Sequence, residues 1–391
     1  MTNQQNEQEI LLETETIETD TATAEDVTTQ ETKPKHGKGK RVTLIILLVL
    51  LGLLLVAGGV VGWMYWQGQR DLLSTQEPVI TPPEDVDVDI DDSNRVVYNG
   101  VTYEYNPNVT AILVIGVDKE NIQEESVYGQ NGQADTLFLT TLDTKTGDIH
   151  LIPLSREAMV DVDKYAVDGT FLGVEKTQLC LAYAYGSNGE EGCENVVRSA
   201  SRLLYGVPIN SYVAIDMDGI KAITDAVGGI TVKALEDIRH PWKEYLIAEK
   251  GKKVTLDGQN AIFYLRQRDT DAHANVRRMK RFRQFFSAFL SVAGNNLKSD
   301  IGLLPKYYNV ASPYLVSDLN LSKITYLVGN TLSGNNWQDP TYHTITGESI
   351  DAGDHNQFHA DTTSVYEAVL AAFYTPVEGE PTVTTAQTDA E

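Results

Sequence analysis

Two cysteines in 391 residues, Cys180 and Cys193, are too few for a cysteine-ligated metal cluster. The seven histidines show no metal-ligand spacing with a partner. There is no Gly-x-Ser-x-Gly elbow and no Walker loop, so acyl-hydrolase and nucleotide-hydrolase readings lack support. Cations are scarce as well. Lys and Arg number 31 against 55 Asp and Glu, a net charge of -24, which argues against general binding of nucleic acid. No internal repeat is present.

One long apolar run is there. Residues 42–66 carry no charge and are dominated by Leu, Val, Ile and Gly. As a helix they would span about 37 Å, enough to cross a hydrocarbon core with some tilt. Lys33, Lys35, Lys38, Lys40 and Arg41 precede the run, and Trp63, Tyr65 and Trp66 close it as an interfacial belt would. The expectation is a single-pass plasma-membrane protein of the cell envelope, with residues 1–41 a cytoplasmic disordered tail and 42–66 the transmembrane helix. Residues 67–97 read as an acidic extracytoplasmic stalk, because a proline pair and self-repelling carboxylates favour extension. Residues 98–375 are then the extracytoplasmic domain, and 376–391 a second disordered tail. In an oxidising compartment a Cys180–Cys193 disulfide is the favoured reading, with two separate buried thiols as the other.

Within the outer part, strand-like and helix-like runs alternate, which favours a layered α/β domain. Residues 111–117, 136–142, 149–154 and 211–215 read as strands. Residues 195–204, 217–227 and 285–292 read as helices, the second stopping at Gly228 and Gly229, and a late helix falls near 363–373. Residues 303–375 complete the domain and carry no assigned chemistry.

Arginine is concentrated at one place. Arg266, Arg268, Arg277, Arg278, Arg281 and Arg283 fall within 18 residues, against a single Lys280. Arg266 and Arg268 have strand spacing, whereas Arg278 and Arg281 have helical spacing. Guanidinium groups suit phosphate oxygens because their planar fork makes bidentate, charge-assisted hydrogen bonds. A solvated basic face and a contact with anionic lipid headgroups are the competing readings. Asp118 ends the first strand and Asp135 opens the next, so both can meet at one sheet edge. Each alone would be a cap or turn residue. Together, among arginines, they form the pair of hard oxygen ligands that Mg²⁺ uses to bridge a pyrophosphate. Arg156, just after the third strand, adds another phosphate fork.

Read in order, four blocks resemble the LytR-CpsA-Psr family of envelope phosphotransferases. They are Ile-Leu-Val-Ile-Gly-Val-Asp-Lys with Ala-Asp-Thr-Leu-Phe-Leu-Thr-Thr-Leu-Asp, then Ile-Pro-Leu-Ser-Arg-Glu-Ala-Met-Val. Tyr-Val-Ala-Ile-Asp-Met-Asp-Gly-Ile with Asp-Ala-Val-Gly-Gly-Ile-Thr-Val comes third. Last come Leu-Asp-Gly-Gln-Asn-Ala-Ile-Phe-Tyr-Leu-Arg-Gln-Arg and Asn-Val-Arg-Arg-Met-Lys-Arg-Phe-Arg-Gln. The match covers roughly residues 108–292. It implies a three-layer α/β/α sandwich behind one N-terminal transmembrane helix, with a hydrophobic groove for a polyprenyl chain. It also implies transfer of a teichoic acid- or capsule-like glycopolymer from a polyprenyl-pyrophosphate carrier to peptidoglycan, beside membrane lipid and without nucleic acid.

By that resemblance Asp118 and Asp135 hold Mg²⁺ or Mn²⁺. Arg156, Arg266, Arg268 and Arg278 act in catalysis and bind the pyrophosphate, to which Arg281 is added. The sequence departs from the family pattern at Gln133 and Ala134, where an arginine usually stands. Glu157 also replaces the usual aspartate, Asn275 the usual acid and Phe282 the usual glutamine, leaving Gln284 two positions further on. A non-catalytic regulator that binds polyprenyl-phosphate lipids, and a polyprenyl-pyrophosphate hydrolase, are the alternative functions.

Overall fold

Strand β1 (Val109–Val117) is apolar on both faces, as a strand buried between two layers must be. It pairs antiparallel with β2 (Ala134–Asp143), which pairs antiparallel with β3 (Ile149–Leu154). On its other side β1 lies parallel to β4 (Ser211–Ile215), which is flanked by β5 (Leu315–Ser317). Strand β6 (Thr341–Tyr342) adds in parallel to β3, giving the order β5-β4-β1-β2-β3-β6. This computed structural model describes residues 38–73, 80–90, 95–119, 121–267, 274–334, 340–353 and 355–377.

Alternation along the strands sends side chains into two cores. Ala111, Leu113, Ile115 and Val117 of β1, with Leu137 and Leu139 of β2, face helix α2 (Gly189–Leu203) and the late helix Thr362–Phe373. Val114 and Phe138 face the opposite way. There they meet α3 (Met217–Val227), α4 (Gly258–Arg266) and α5 (Ala274–Ser299). Helices thus cover both faces of a mixed sheet. Three start on a local signal: Asn188 caps α2, Asp216 caps α3 and Asp257 caps α4, each side-chain oxygen accepting a backbone N–H of the first turn. Helix α3 ends on Gly228, whose φ of 95° suits a left-handed C-cap, as expected from the glycine pair.

Three expectations change. First, the Cys180–Cys193 disulfide does not form: both thiols are free and buried. Cys180 lies beside Gln178, on the Arg156 side of the sheet, where burial pushes its thiol up to about 11 despite the guanidinium. Cys193, on α2, packs in the core near Tyr183 and Tyr212 and is pushed up further by burial. The two side chains belong to different surroundings. Second, the acidic segment is not a free stalk throughout. Ile80 and Val86 are buried and Val88–Ile90 pairs with Val96–Tyr98, while Asp85, Asp87 and Asp89 point outward. Third, Arg266 does not sit in a strand; it is the last residue of α4.

Helix α1 (Lys38–Leu73) runs through the expected span. Side chains 38–51 and 53 lie outside the described residues, among which no helix is long and apolar enough to cross a membrane. The chain divides into two compact units, residues 1–56 and 57–391. In the second, the end of α1 packs on the helix Leu321–Ser333: the Tyr65 ring lies tilted against Tyr326 with centroids 4.9 Å apart, and its hydroxyl donates to Asn330 at 3.1 Å. Gly68 faces the Ser322 carbonyl, where a Cβ would collide. The tails 1–37 and 378–391 are outside the described residues.

The sheet's edge strand β6 is held by little backbone. Two residue pairs join it to β3, and the His343 N–H donates to the Leu151 carbonyl at 3.0 Å. His150 Nδ1 and His343 Nε2 add a 2.8 Å hydrogen bond that needs at least one neutral ring. Burial and His150 hold His343 down to about 4, and burial lowers His150, which Asp148 and Asp143 oppose. A histidine depressed in the fold binds protons first in the unfolded chain, so stability falls as pH drops below about 6.5 toward 4. Thermal melts of wild type against His343→Asn should show the variant with a flatter loss over that window; equal slopes would contradict the pair's role.

Candidate functional site

The site forms where β1 ends and β2 begins. The Asp118 N–H donates to the Gln133 carbonyl at 3.3 Å, and the register shifts after Gly116, so the two strand ends stay together as the ladder stops. Asp118 and Asp135 consequently line one cavity of about 390 Å³, with Thr136, Met217, Leu265, Arg266, Arg278 and Phe282. Asp118 is half exposed, its side chain 52% accessible, whereas Asp135 is buried.

Each arginine reaches this place from a different element. Arg156 follows β3 in a turn closed by the Ala158 N–H to the Ser155 carbonyl at 3.0 Å. Its guanidinium pairs with the Asp135 carboxylate through Nη1 and donates from Nη2 to Gln133 Oε1 at 3.0 Å. Its Nε is buried without a hydrogen-bond partner. Arg278, on α5, is 4% exposed; it donates to the Asp135 carbonyl at 3.1 Å and lies 4.0 Å from the same carboxylate. Arg266, at the C-terminus of α4, is 57% exposed and lies 3.8 Å from Asp118. Arg278 also lines a second cavity of about 300 Å³, with Arg156, Glu157, Met279, Arg283 and Phe358.

The structure therefore gathers Asp118, Asp135, Arg156, Arg266 and Arg278. It does not gather Arg281. That side chain is 2% exposed and turned away from the cavity. It donates to the Tyr264 carbonyl at 2.7 Å and pairs with Glu236 and the Gln267 carbonyl. Burial lowers its guanidinium to about 10, so it stays charged at neutral pH. Three residues on a helix turn through about 300°, which separates Arg281 from Arg278 by about a sixth of a circle. Arg268 and the Asn275 side chain lie outside the described residues.

Several site residues were not foreseen. Gln133, a departure from the family pattern, accepts from Arg156 and helps to fix it. Phe282, another departure, lines the cavity with carbon. Met217 enters as the first residue of α3, at the carboxyl end of parallel strand β4, a position where α/β sheets characteristically place ligands. Gln284 is structural: it accepts from Tyr264 at 2.6 Å and donates to the Lys233 carbonyl at 2.7 Å.

Asp118 and Asp135 supply two hard oxygen donors to one cavity. Among the described residues no group of three His, Cys, Asp or Glu could hold a metal. The donor set therefore fits Mg²⁺ or Mn²⁺ only if phosphate oxygens and water complete the shell, the usual habit of Mg²⁺.

These placements separate two arginine roles. Arg281→Met should cost about 2 kcal/mol of stability, because Glu236 keeps only the more exposed Arg277 at 3.3 Å and the Tyr264 and Gln267 carbonyls lose their donor, and should leave phosphate affinity in the folded protein unchanged. Arg266→Ala should cost under about 0.5 kcal/mol and weaken pyrophosphate binding. Chemical denaturation and calorimetric titration check both, and the reverse pattern would refute the assignment.

A model of the LytR_cpsA_psr family matches residues 84–371. The Enterococcus faecalis protein named polyisoprenyl-teichoic acid–peptidoglycan teichoic acid transferase TagU is 24% identical over 281 residues, 68% of this chain and 80% of that protein. Bacillus subtilis TagV, which carries the corresponding transferase name, is 26% identical over 247 residues, 61% of this chain and 58% of that protein. The crystal structure of B. subtilis TagV matches with a TM-score of 0.54 at 24% identity, over 68% of this chain and 96% of that one. That likeness establishes a shared mixed α/β fold. With the family pattern running through the strands, helices and turns that build the cavity, the chain belongs to the LytR_cpsA_psr family.

Proposed function

We propose that this chain transfers a phosphate-linked glycopolymer, teichoic acid- or capsule-like, from a polyprenyl-pyrophosphate carrier to a peptidoglycan hydroxyl. The observation that carries this reading is the cavity lined by Asp118, Asp135, Arg266 and Arg278, with Arg156 gripping Asp135 from the turn after β3. Family membership and the transferase names of the relatives support it.

The chemistry is a displacement at phosphorus. The acceptor hydroxyl oxygen forms a bond to the glycan-bearing phosphorus as its proton is lost to solvent, the bridging P–O bond breaks, and polyprenyl phosphate leaves with the bonding electron pair. Arg266, exposed at the mouth, is free to swing onto phosphoryl oxygens. Arg278 is fixed by the Asp135 carbonyl and offers a preorganised charge where negative charge develops. Arg156 and Gln133 keep Asp135 oriented, so little reorganisation is needed on binding. Asp118 and Asp135 are the residues that would hold Mg²⁺ or Mn²⁺, whose bound charge offsets that of the pyrophosphate.

The same reading includes an anchor. The uncharged run 42–66 lies within helix α1, a basic flank precedes it and aromatic residues close it. Such a helix crosses the plasma membrane with the domain outside, beside the leaflet that holds lipid carriers.

The test is the full-length chain in detergent with a polyprenyl-pyrophosphate glycan, peptidoglycan fragments and Mg²⁺, the phosphodiester-linked product being read by mass. Transfer should appear, stop with chelator, and fall about 100-fold in Asp135→Asn and Arg266→Ala. Hydrolysis without transfer would identify a pyrophosphate hydrolase, and lipid binding without either reaction a regulator.

A further inference from the structure

One exposed feature beside the site has no part in the phosphate chemistry. The strands Ile238–Arg239 and Leu246–Ala248 form a hairpin whose base, Ile238 and Ala248, is buried in the core. Its tip, residues 241–246, is exposed throughout, and Trp242 is 81% accessible. With Tyr245 and Leu246, also exposed, it makes an apolar patch of the kind that marks an interaction site.

The position is fixed in several ways. The His240 N–H donates to the Tyr245 carbonyl at 3.1 Å, and the Trp242 N–H donates to His240 Nδ1 at 3.2 Å. The Trp242 ring stands edge-on to Phe263 at 5.7 Å and to His240 at 5.9 Å, and Tyr245 lies 5.0 Å from His240. These rings form one rigid cluster with an open indole surface.

The cluster is tied to the phosphate cavity. Phe263 and Arg266 are three residues apart on α4, about 4.5 Å along the axis and on neighbouring parts of its surface. The next residue, Gln267, accepts from the Arg239 N–H at 3.0 Å and donates to the Asp237 carbonyl at 2.9 Å, clamping the hairpin to the end of that helix.

We propose that this hairpin is a sugar-binding platform, on which Trp242 stacks a pyranose ring adjacent to the phosphate being transferred. A pyranose has one flat C–H face and a rim of hydroxyls. The indole suits the face, while Arg239, Lys243 and Glu244 of the same hairpin offer donors and an acceptor to the rim. A bilayer suits the tip less well, since Trp242 and Tyr245 are separated by a Lys-Glu pair and Asp237 and Glu249 flank it. The ring belongs either to the donor polymer or to the acceptor glycan. The inference rests on the transferase reading for its biological sense, not for its test.

Full-length protein in detergent is titrated calorimetrically with three probes. These are a soluble peptidoglycan tetrasaccharide, farnesyl pyrophosphate, and a farnesyl-pyrophosphate-linked disaccharide. Trp242→Ala should lose about tenfold in affinity for a sugar-bearing probe and keep wild-type affinity for farnesyl pyrophosphate, while Trp242→Phe stays within about threefold of wild type. Loss confined to the tetrasaccharide assigns the acceptor, and loss confined to the linked disaccharide assigns the donor. Unchanged affinity of Trp242→Ala for both sugar probes overturns the platform. So does quenching of Trp242 by brominated lipid in reconstituted vesicles with sugar affinity intact, which would make the tip a membrane contact. If wild type fails to bind farnesyl pyrophosphate, the transferase reading falls, and the tetrasaccharide titration still decides the platform.

Discussion

The site depends on one arrangement of opposite charges. A nearly buried Arg278 guanidinium stands behind Asp135, and Arg156 clamps the same carboxylate from the adjoining turn. Burying such charges costs several kcal/mol each unless they are paired and hydrogen-bonded, so the geometry persists only because the surrounding sheet and helix are rigid. Strands β1, β2 and β3 supply that rigidity through long antiparallel ladders, and α5 is held against them by an apolar core. Neither Arg278 nor Asp135 can move alone. The exposed members, Asp118 and Arg266, retain the freedom to meet a ligand, so the cavity combines a fixed wall with a mobile rim.

Much of this was legible from residue order. Near-continuous apolar runs announced β1 and β2, and the aspartates at their facing ends could be placed together because antiparallel neighbours join end to start. The end of α3 was readable from two glycines. Other features depend on direction, which spacing does not supply. Arg266 and Arg268 alternate as in a strand, but Asp257 caps a helix that runs through Arg266. Arg278 and Arg281 share helical spacing, yet a sixth of a turn is enough to aim one at Asp135 and the other at Glu236. The twelve residues between Cys180 and Cys193 fit a disulfide loop, but the thiols face different surroundings. In the acidic segment, the carboxylates conceal the apolar positions Ile80, Val86 and Val88 that tie it to the domain.

The departures from the family pattern acquire physical meaning in the same frame. Gln133 stands where an arginine is usual and accepts from Arg156 through its side-chain Oε1, so it orients a cation and supplies none. Phe282 replaces a polar side chain at the cavity wall and lowers the local dielectric, which strengthens each charged contact across the space. Both aspartates and the arginines beside them are kept. On the proposed transferase reading, a site with fewer cations and a drier wall takes a pyrophosphate only when a divalent cation completes the charge neutralisation.

That dependence is the central claim, and crystallography tests it directly. Crystals grown with Mn²⁺ and farnesyl pyrophosphate should show anomalous density between the Asp118 and Asp135 carboxylates, with the diphosphate against Arg266 and Arg278. Manganese and diphosphate bound away from these aspartates, or diphosphate seated there with the aspartates unliganded at saturating Mn²⁺, would contradict the account.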